Sequence, residues 1–157
     1  MTKRLIPIIL VKDGFVIRSQ IFSIHQKIGN VISTVERLSS WSVDELIVLQ
    51  IGEQDSHSLN RHDLAIKYNS ASTKDLLKII SGSMFMPLSY GGGIISLDQI
   101  EDALTFGADK IVINTAIIKN PNMVTQAVKT FGSQCIIASI DARIEKDNFY
   151  TYVSRGK

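Results

Sequence analysis

Along this chain, short runs of β-branched residues alternate with stretches of helical periodicity. Arg4 to Leu10 reads as a first strand, and Val31 to Trp41 as an amphipathic helix with Val31, Ile32, Val35, Leu38 and Trp41 on or near one face. Glu45 to Ile51 is a second strand. Thr73 caps a helix carried by Leu76, Leu77 and Ile80, and Met86 to Tyr90 is a third strand that ends on glycines. Ser96 caps the next helix, whose buried stripe is Leu97, Ile100, Ala103 and Leu104, and Gly107 closes it. Ile111 to Ile113 is a fourth strand, Pro121 opens a helix that runs to Phe131-Gly132, and Cys135 to Asp141 is a fifth strand. Strict β-then-α alternation predicts an α/β fold with a parallel sheet and right-handed crossovers.

Two of these strand ends carry candidate chemistry. Gly91-Gly92-Gly93-Ile94 follows the third strand, and Gly107-Ala108-Asp109-Lys110 leads through the fourth to Asn114-Thr115-Ala116. Glycine lets backbone N–H groups approach an anion closely, and a following helix adds a positive dipole end, so the pair reads as a phosphate cradle in a β/α barrel. Alone, the glycine run would be a flexible turn. An eight-fold barrel takes about 250 residues, and about five strands with four helices fall short of closure. The expectation is one incomplete TIM-barrel domain over residues 1–157: the N-terminal half, a fifth strand and a small hairpin arm from the alternating Asn148 to Val153. A fragment, a naturally split half and a sheet completed by another copy stand as alternatives. An unpaired parallel edge points to an oligomer or a partner-completed barrel.

Composition narrows the class. With 157 residues, 45% hydrophobic and 20% charged, the chain can bury one ordinary core. No apolar run approaches the ~20 residues of a membrane span, and Met1-Thr2-Lys3-Arg4 runs into a strand rather than a signal peptide, which predicts a soluble cytoplasmic protein without membrane contact. The one cysteine, Cys135, lies in an apolar run and reads as a buried thiol, with neither a disulfide framework nor a zinc cluster available. A net charge of +2 with scattered lysines argues against nucleic acid as a partner.

Arg4-Leu-Ile-Pro, Val11-Lys12-Asp13-Gly14, Asp44-Glu45-Leu46, Gly91-Gly92-Gly93-Ile94, Gly107-Ala108-Asp109-Lys110, Ile113-Asn114-Thr115-Ala116, Asn120-Pro121, and Phe131-Gly132-Ser133-Gln134-Cys135-Ile136 to Ile140-Asp141-Ala142 closely resemble the cyclase subunit of imidazole glycerol phosphate synthase, the HisF-type barrel of histidine biosynthesis. The resemblance implies a (β/α)8 TIM barrel of the ribulose-phosphate binding type. It implies lyase chemistry in which a HisH-like glutaminase partner delivers ammonia at the N-terminal face and a substrate with two phosphates receives it at the C-terminal face. No cofactor and no metal are implied.

By the same resemblance, Asp141 matches one of two catalytic carboxylates, while Leu10 stands where the other belongs and Gln50 replaces a further acidic residue. Proton transfer by a placed carboxylate is worth about 10²–10⁴-fold, so Leu10 leaves cyclase activity impaired or repurposed. Asp13 is a candidate to compensate, or a turn former. Gly92, Gly93, Asn114 and Thr115 match the residues that hold one phosphate; the second phosphate site belongs to the half not present. Lys12 and Arg18 match loop cations around the first loop. Arg4, Glu45 and Lys110 match three of four charged residues that gate ammonia, and Asp109 matches a position facing the glutaminase.

The segments Val16 to Phe22, Ile24 to Asn30 and Trp41 to Leu46 look like the paralogues of surface polysaccharide gene clusters. For those, ammonia delivery to a sugar amidotransferase replaces ring closure; an inactive truncated half-barrel is the third reading. His25 in the first loop is either a substitute acid or base or a packing residue. His57 and His62 lie in a long polar loop, where metal binding would need a third ligand held rigidly and a mobile surface loop is the plainer reading. Tyr68 and Tyr90 read as packing and loop residues.

Overall fold

In the computed structural model, described over residues 3–20, 24–52, 72–145 and 147–152, the elements run β1 (Ile8–Lys12), β2 (Phe15–Gln20), β3 (Ile24–Asn30), α1 (Val31–Ser40), β4 (Leu46–Gln50), α2 (Thr73–Gly82), β5 (Leu88–Gly91), α3 (Leu97–Thr105), β6 (Lys110–Ile113), α4 (Thr115–Lys119), α5 (Pro121–Phe131), β7 (Ile136–Ala138), β8 (Asp141–Glu145) and β9 (Asn148–Tyr152). Seven strands form one sheet in the order β3-β2-β1-β4-β5-β6-β7. The β1, β4, β5, β6 and β7 pairings are parallel, as the alternating pattern predicts, and the sheet stays open, without barrel closure among the described residues.

The alternation is not strict. β2 and β3 form an antiparallel hairpin that pairs along the free edge of β1, where Leu10 faces Ile17 and Lys12 faces Phe15. The hairpin moves the exposed edge outward to β3, which carries the polar residues His25, Gln26 and Lys27. Charged and polar edges resist strand addition. The opposite edge is β7, only three residues long.

Side chains alternate across each strand, so register sorts them into two layers. One row across the sheet, Ile9, Val48, Tyr90 and Ile111, faces the helices and belongs to the buried core with Leu76, Leu77 and Ile80 of α2 and Ile100 and Ala103 of α3. The other, Leu10, Leu49, Gly91, Val112 and Ile137, lies on the opposite, interior face of the open sheet.

Caps set the helix starts. Asn30 accepts from the backbone N–H of Ile32 and Ser33, and Ser96 with Gln99 completes a capping box on α3. A side-chain cap is worth about 1 kcal/mol. The cap of α2 is Ser72, not Thr73: the Ser72 hydroxyl is the one that accepts from Asp75 N–H, and Thr73 is already helical. Pro121 occupies the first turn of α5 as expected, with Asn120 capping it. A fifth, short helix, α4, precedes it.

Several strand boundaries also shift. Arg4 to Pro7 precede β1 rather than belonging to it: Leu5 bonds Asp44 ahead of β4, and the Pro7 carbonyl accepts from Ile47 N–H of β4, but Pro7 has no N–H with which to extend a ladder. Cys135 sits half-buried in a single 3-10 turn over Ser133–Cys135, not in the core. The fifth parallel strand ends at Ala138. Asp141 lies beyond it, opening the β8–β9 hairpin, whose register pairs Asp141 with Tyr152. Trp41 stands outside α1 as its C-cap and is 65% exposed, so it does not continue the buried stripe of Val31, Ile32 and Val35.

Candidate functional site

The N-terminal ends of the parallel strands gather the charged residues matched to an ammonia gate. Glu45 immediately precedes β4, and its carboxylate is 3% exposed as a residue. Lys110 opens β6 and donates to both carboxylate oxygens, at 3.0 and 2.9 Å. The Ser89 hydroxyl, from β5 between them, donates to Oε1 at 2.6 Å. Arg4 stands farther out, 4.0 Å from Oε2. Local fastening explains the convergence. Leu5 N–H donates to the Asp44 carboxylate and Asp44 N–H returns to the Leu5 carbonyl, which holds Arg4 beside Glu45.

Burial pushes the Glu45 carboxyl up, but the Ser89 hydroxyl, the Lys110 ammonium and the more distant Arg4 guanidinium outweigh it and hold the group below its ordinary value. Glu45 is therefore an anion at neutral pH, locked by hydrogen bonds. Ser89 is the member that sequence reasoning did not find. Its position in register with Lys110 and two residues before Gly91 places it on the interior face, so strand parity was the available signal.

Asp109, beside Lys110, accepts from Leu88 N–H at 2.8 Å, and its own N–H donates to the Leu88 carbonyl. It splices β5 to β6. It also borders a cavity of about 340 Å³ on this lower face, shared with Met84, Met86 and the fully exposed Phe85.

At the C-terminal strand ends, a second cavity of about 550 Å³ brings together Gly92, Gly93, Asn114, Thr115 and Asp141. Asn114 donates through Nδ2 to Asp141 Oδ2 at 3.1 Å and accepts from Thr115 Oγ1 at 3.4 Å. Leu10, Leu49 and Val112 form its apolar wall. Leu10 thus projects to the same mouth as Asp141, at the place where the sequence resemblance implies a second carboxylate. Lys119, Asn120 and Ser139 border this cavity too, and sequence reasoning passed over them. For Lys119 the signal was helical spacing: it stands four residues after Thr115, on the same side of one turn.

Gly92 fixes the shape of the mouth. Its φ is +105°, and a Cβ there would lie 2.1 Å from the Gln50 carbonyl oxygen. The glycine loop rests directly on the end of β4. Gln50 itself turns the other way. It pairs with the fully buried Val11 on the helix-facing layer, and its side-chain oxygen accepts from the Tyr90 hydroxyl, with Thr73 Oγ1 at 3.5 Å. Gln50 borders the mouth at the end of β4, but its side-chain oxygen is engaged by Tyr90 and Thr73, so it ties β4, β5 and the start of α2 together, and Tyr90 is more than a packing residue.

The loop cations separate. Lys12, at the end of β1, extends over Gly52. Arg18 is not on a loop: it lies within β2 opposite Gln26, exposed and outside the cavity lining. Asp13 adopts a left-handed turn conformation, φ 51°, between β1 and β2. His25 sits on β3 opposite Ser19, away from Asp141's cavity. His57, His62 and Tyr68 lie outside the described residues.

The profile of a family described as "Histidine biosynthesis protein" matches residues 4–157. The chain belongs to the histidine biosynthesis protein family. Its relatives there include the imidazole glycerol phosphate synthase subunit HisF of Hydrogenobaculum sp., 33% identical over 159 residues covering 100% of this chain and 58% of the relative. HisF of Staphylococcus epidermidis is 38% identical over 145 residues, 92% of this chain and 53% of the relative. A putative imidazole glycerol phosphate synthase subunit hisF2 of Vibrio vulnificus is 37% identical over 147 residues, 94% of this chain and 49% of that protein. The chain thus spans about half the length of these HisF relatives. No helix among the described residues is long and apolar enough to cross a membrane.

Proposed function

We propose that this HisF-like chain accepts ammonia from a HisH-like glutaminase partner at the lower face and delivers it to a phosphorylated small molecule at the upper mouth. The observation that carries the reading is the cluster of Arg4, Glu45, Ser89 and Lys110 at the foot of the interior row Leu10, Leu49 and Val112. A fixed ion pair meets a small polar molecule at the entrance. Beyond it an apolar wall favours neutral ammonia over ammonium, because an unpaired cation pays a heavy desolvation cost. The lower cavity beside Asp109 and Phe85 is the matching place for the partner, and Gly92, Gly93, Asn114 and Thr115 are the groups that would hold a phosphate.

Co-expression with a glutaminase from the same locus tests the reading. Co-elution and glutamine-dependent ammonia transfer are the expected outcome; a chain that elutes alone at micromolar concentration would overturn it.

Leu10 favours a second reading within the first, in which ammonia passes to a sugar acceptor in surface polysaccharide synthesis and no ring is closed. A two-carboxylate mechanism lacks one partner when Asp141 faces leucine. With ammonia supplied directly, imidazole glycerol phosphate formation is expected to be absent, and robust turnover would sink this reading. If the remaining mouth suits cyclisation, Leu10→Asp restores about 10²–10⁴-fold.

A further inference from the structure

Resting on the phosphate reading of the upper mouth, we propose that Lys119 is the cation that completes its anion site. Two charged residues border that cavity among the described residues, Asp141 and Lys119. Asp141 repels an incoming phosphate, and its carboxylate is held toward Asn114, 3.1 Å away. Something must offset that repulsion. Lys119 is the last residue of α4, one turn beyond Thr115, and residues four apart share a helix face. Both border the same cavity as Gly93. The Asn120 carboxamide is engaged elsewhere, accepting from Met123 N–H, and Lys119 forms no ion pair among the described residues. Its flexible stem and three donors suit a point-charge contact to a phosphate oxygen. The ligand class that follows is one whose anionic group sits between Gly93 and Thr115 while the rest of the molecule lies against Leu10 and Leu49. A ligand with one phosphate end and a weakly polar body meets those terms.

Inorganic phosphate is the probe, with affinity read from the melting temperature of the full chain at several salt concentrations. A charged hydrogen bond of the usual strength corresponds to roughly tenfold or more in affinity, so Lys119→Ala should weaken phosphate binding by about that factor and flatten its dependence on salt. Lys119→Arg should restore most of the loss. Lys129→Ala, at an exposed lysine of α5 outside the cavity, should change nothing. Equal binding by wild type and Lys119→Ala, or equal loss in Lys129→Ala, would overturn the role of Lys119 while leaving the phosphate reading intact. A wild-type chain that does not respond to phosphate would overturn both.

Discussion

The two ends of the same parallel strands solve opposite problems. At the lower end Glu45 is buried and receives donors from Lys110 and Ser89, with Arg4 nearby. At the upper end Asp141 is exposed and takes one amide hydrogen bond from Asn114. Structure at the lower end depends on a buried carboxylate being fully paired within the protein, whereas the charges at the upper mouth, Asp141 and Lys119, form no ion pair among the described residues. Removing a partner should therefore be costly below and nearly free above.

The largest effect belongs to Lys110→Met. It leaves the Glu45 carboxylate buried with one hydroxyl and a distant guanidinium, and the expected loss is about 2–4 kcal/mol at pH 7 by urea denaturation. The pH dependence has a definite sign. Because the folded-state value of Glu45 is lowered, its stabilisation is fully present above the ordinary glutamate value of 4.5 and disappears as pH falls through the lowered one. The variant should lose this acid sensitivity, so the difference from wild type narrows as pH falls below 4.5. A gap that stays constant with pH would place the cost in lost packing instead.

Next comes Gly92→Ala, at about 2–3 kcal/mol with loss of any phosphate response, because the methyl group cannot coexist with the Gln50 carbonyl and the backbone is left-handed. Gly82→Ala, where a Cβ meets nothing within 4 Å, should be neutral or slightly stabilising. Equal effects at the two sites would mean that the glycine loop moves freely. Tyr90→Phe should cost about 1–2 kcal/mol by removing the donor to the buried Gln50 amide. Smallest is Asp141→Asn, below about 0.5 kcal/mol in stability, since an exposed hydrogen bond contributes little. A large loss there would erase the contrast between the ends.

Much of the layer structure was legible in the sequence. The 3.6-residue stripes of Leu76, Leu77, Ile80 and of Ile100, Ala103 needed only periodicity, and Pro121 and Ser96 marked helix starts by local chemistry. What escaped depended on pairing between distant segments. Arg4 to Pro7 look like a strand by composition, yet their bonds go to Asp44 and, through the Pro7 carbonyl, to Ile47 at the start of β4, with no continuous ladder. Val16 and Ile17 became part of a hairpin because β1 offered an open edge, which no local window reveals. The charged residues of the lower cluster could be named from the resemblance, but Ser89 could not, because its place beside Glu45 arises from strand register. Gln50 shows the converse limit: its identity suggested a lost acid, and only its layer revealed a tie to Tyr90.

The contact of Gly92 with the end of β4 also bears on how such a site changes over time. The outline of the mouth is set there by backbone resting on backbone, a contact to which the side chains at positions 10, 119 and 141 do not contribute. Side-chain chemistry and contour are thereby uncoupled: the side chains lining the mouth can be exchanged one by one while the backbone frame around them stays in place.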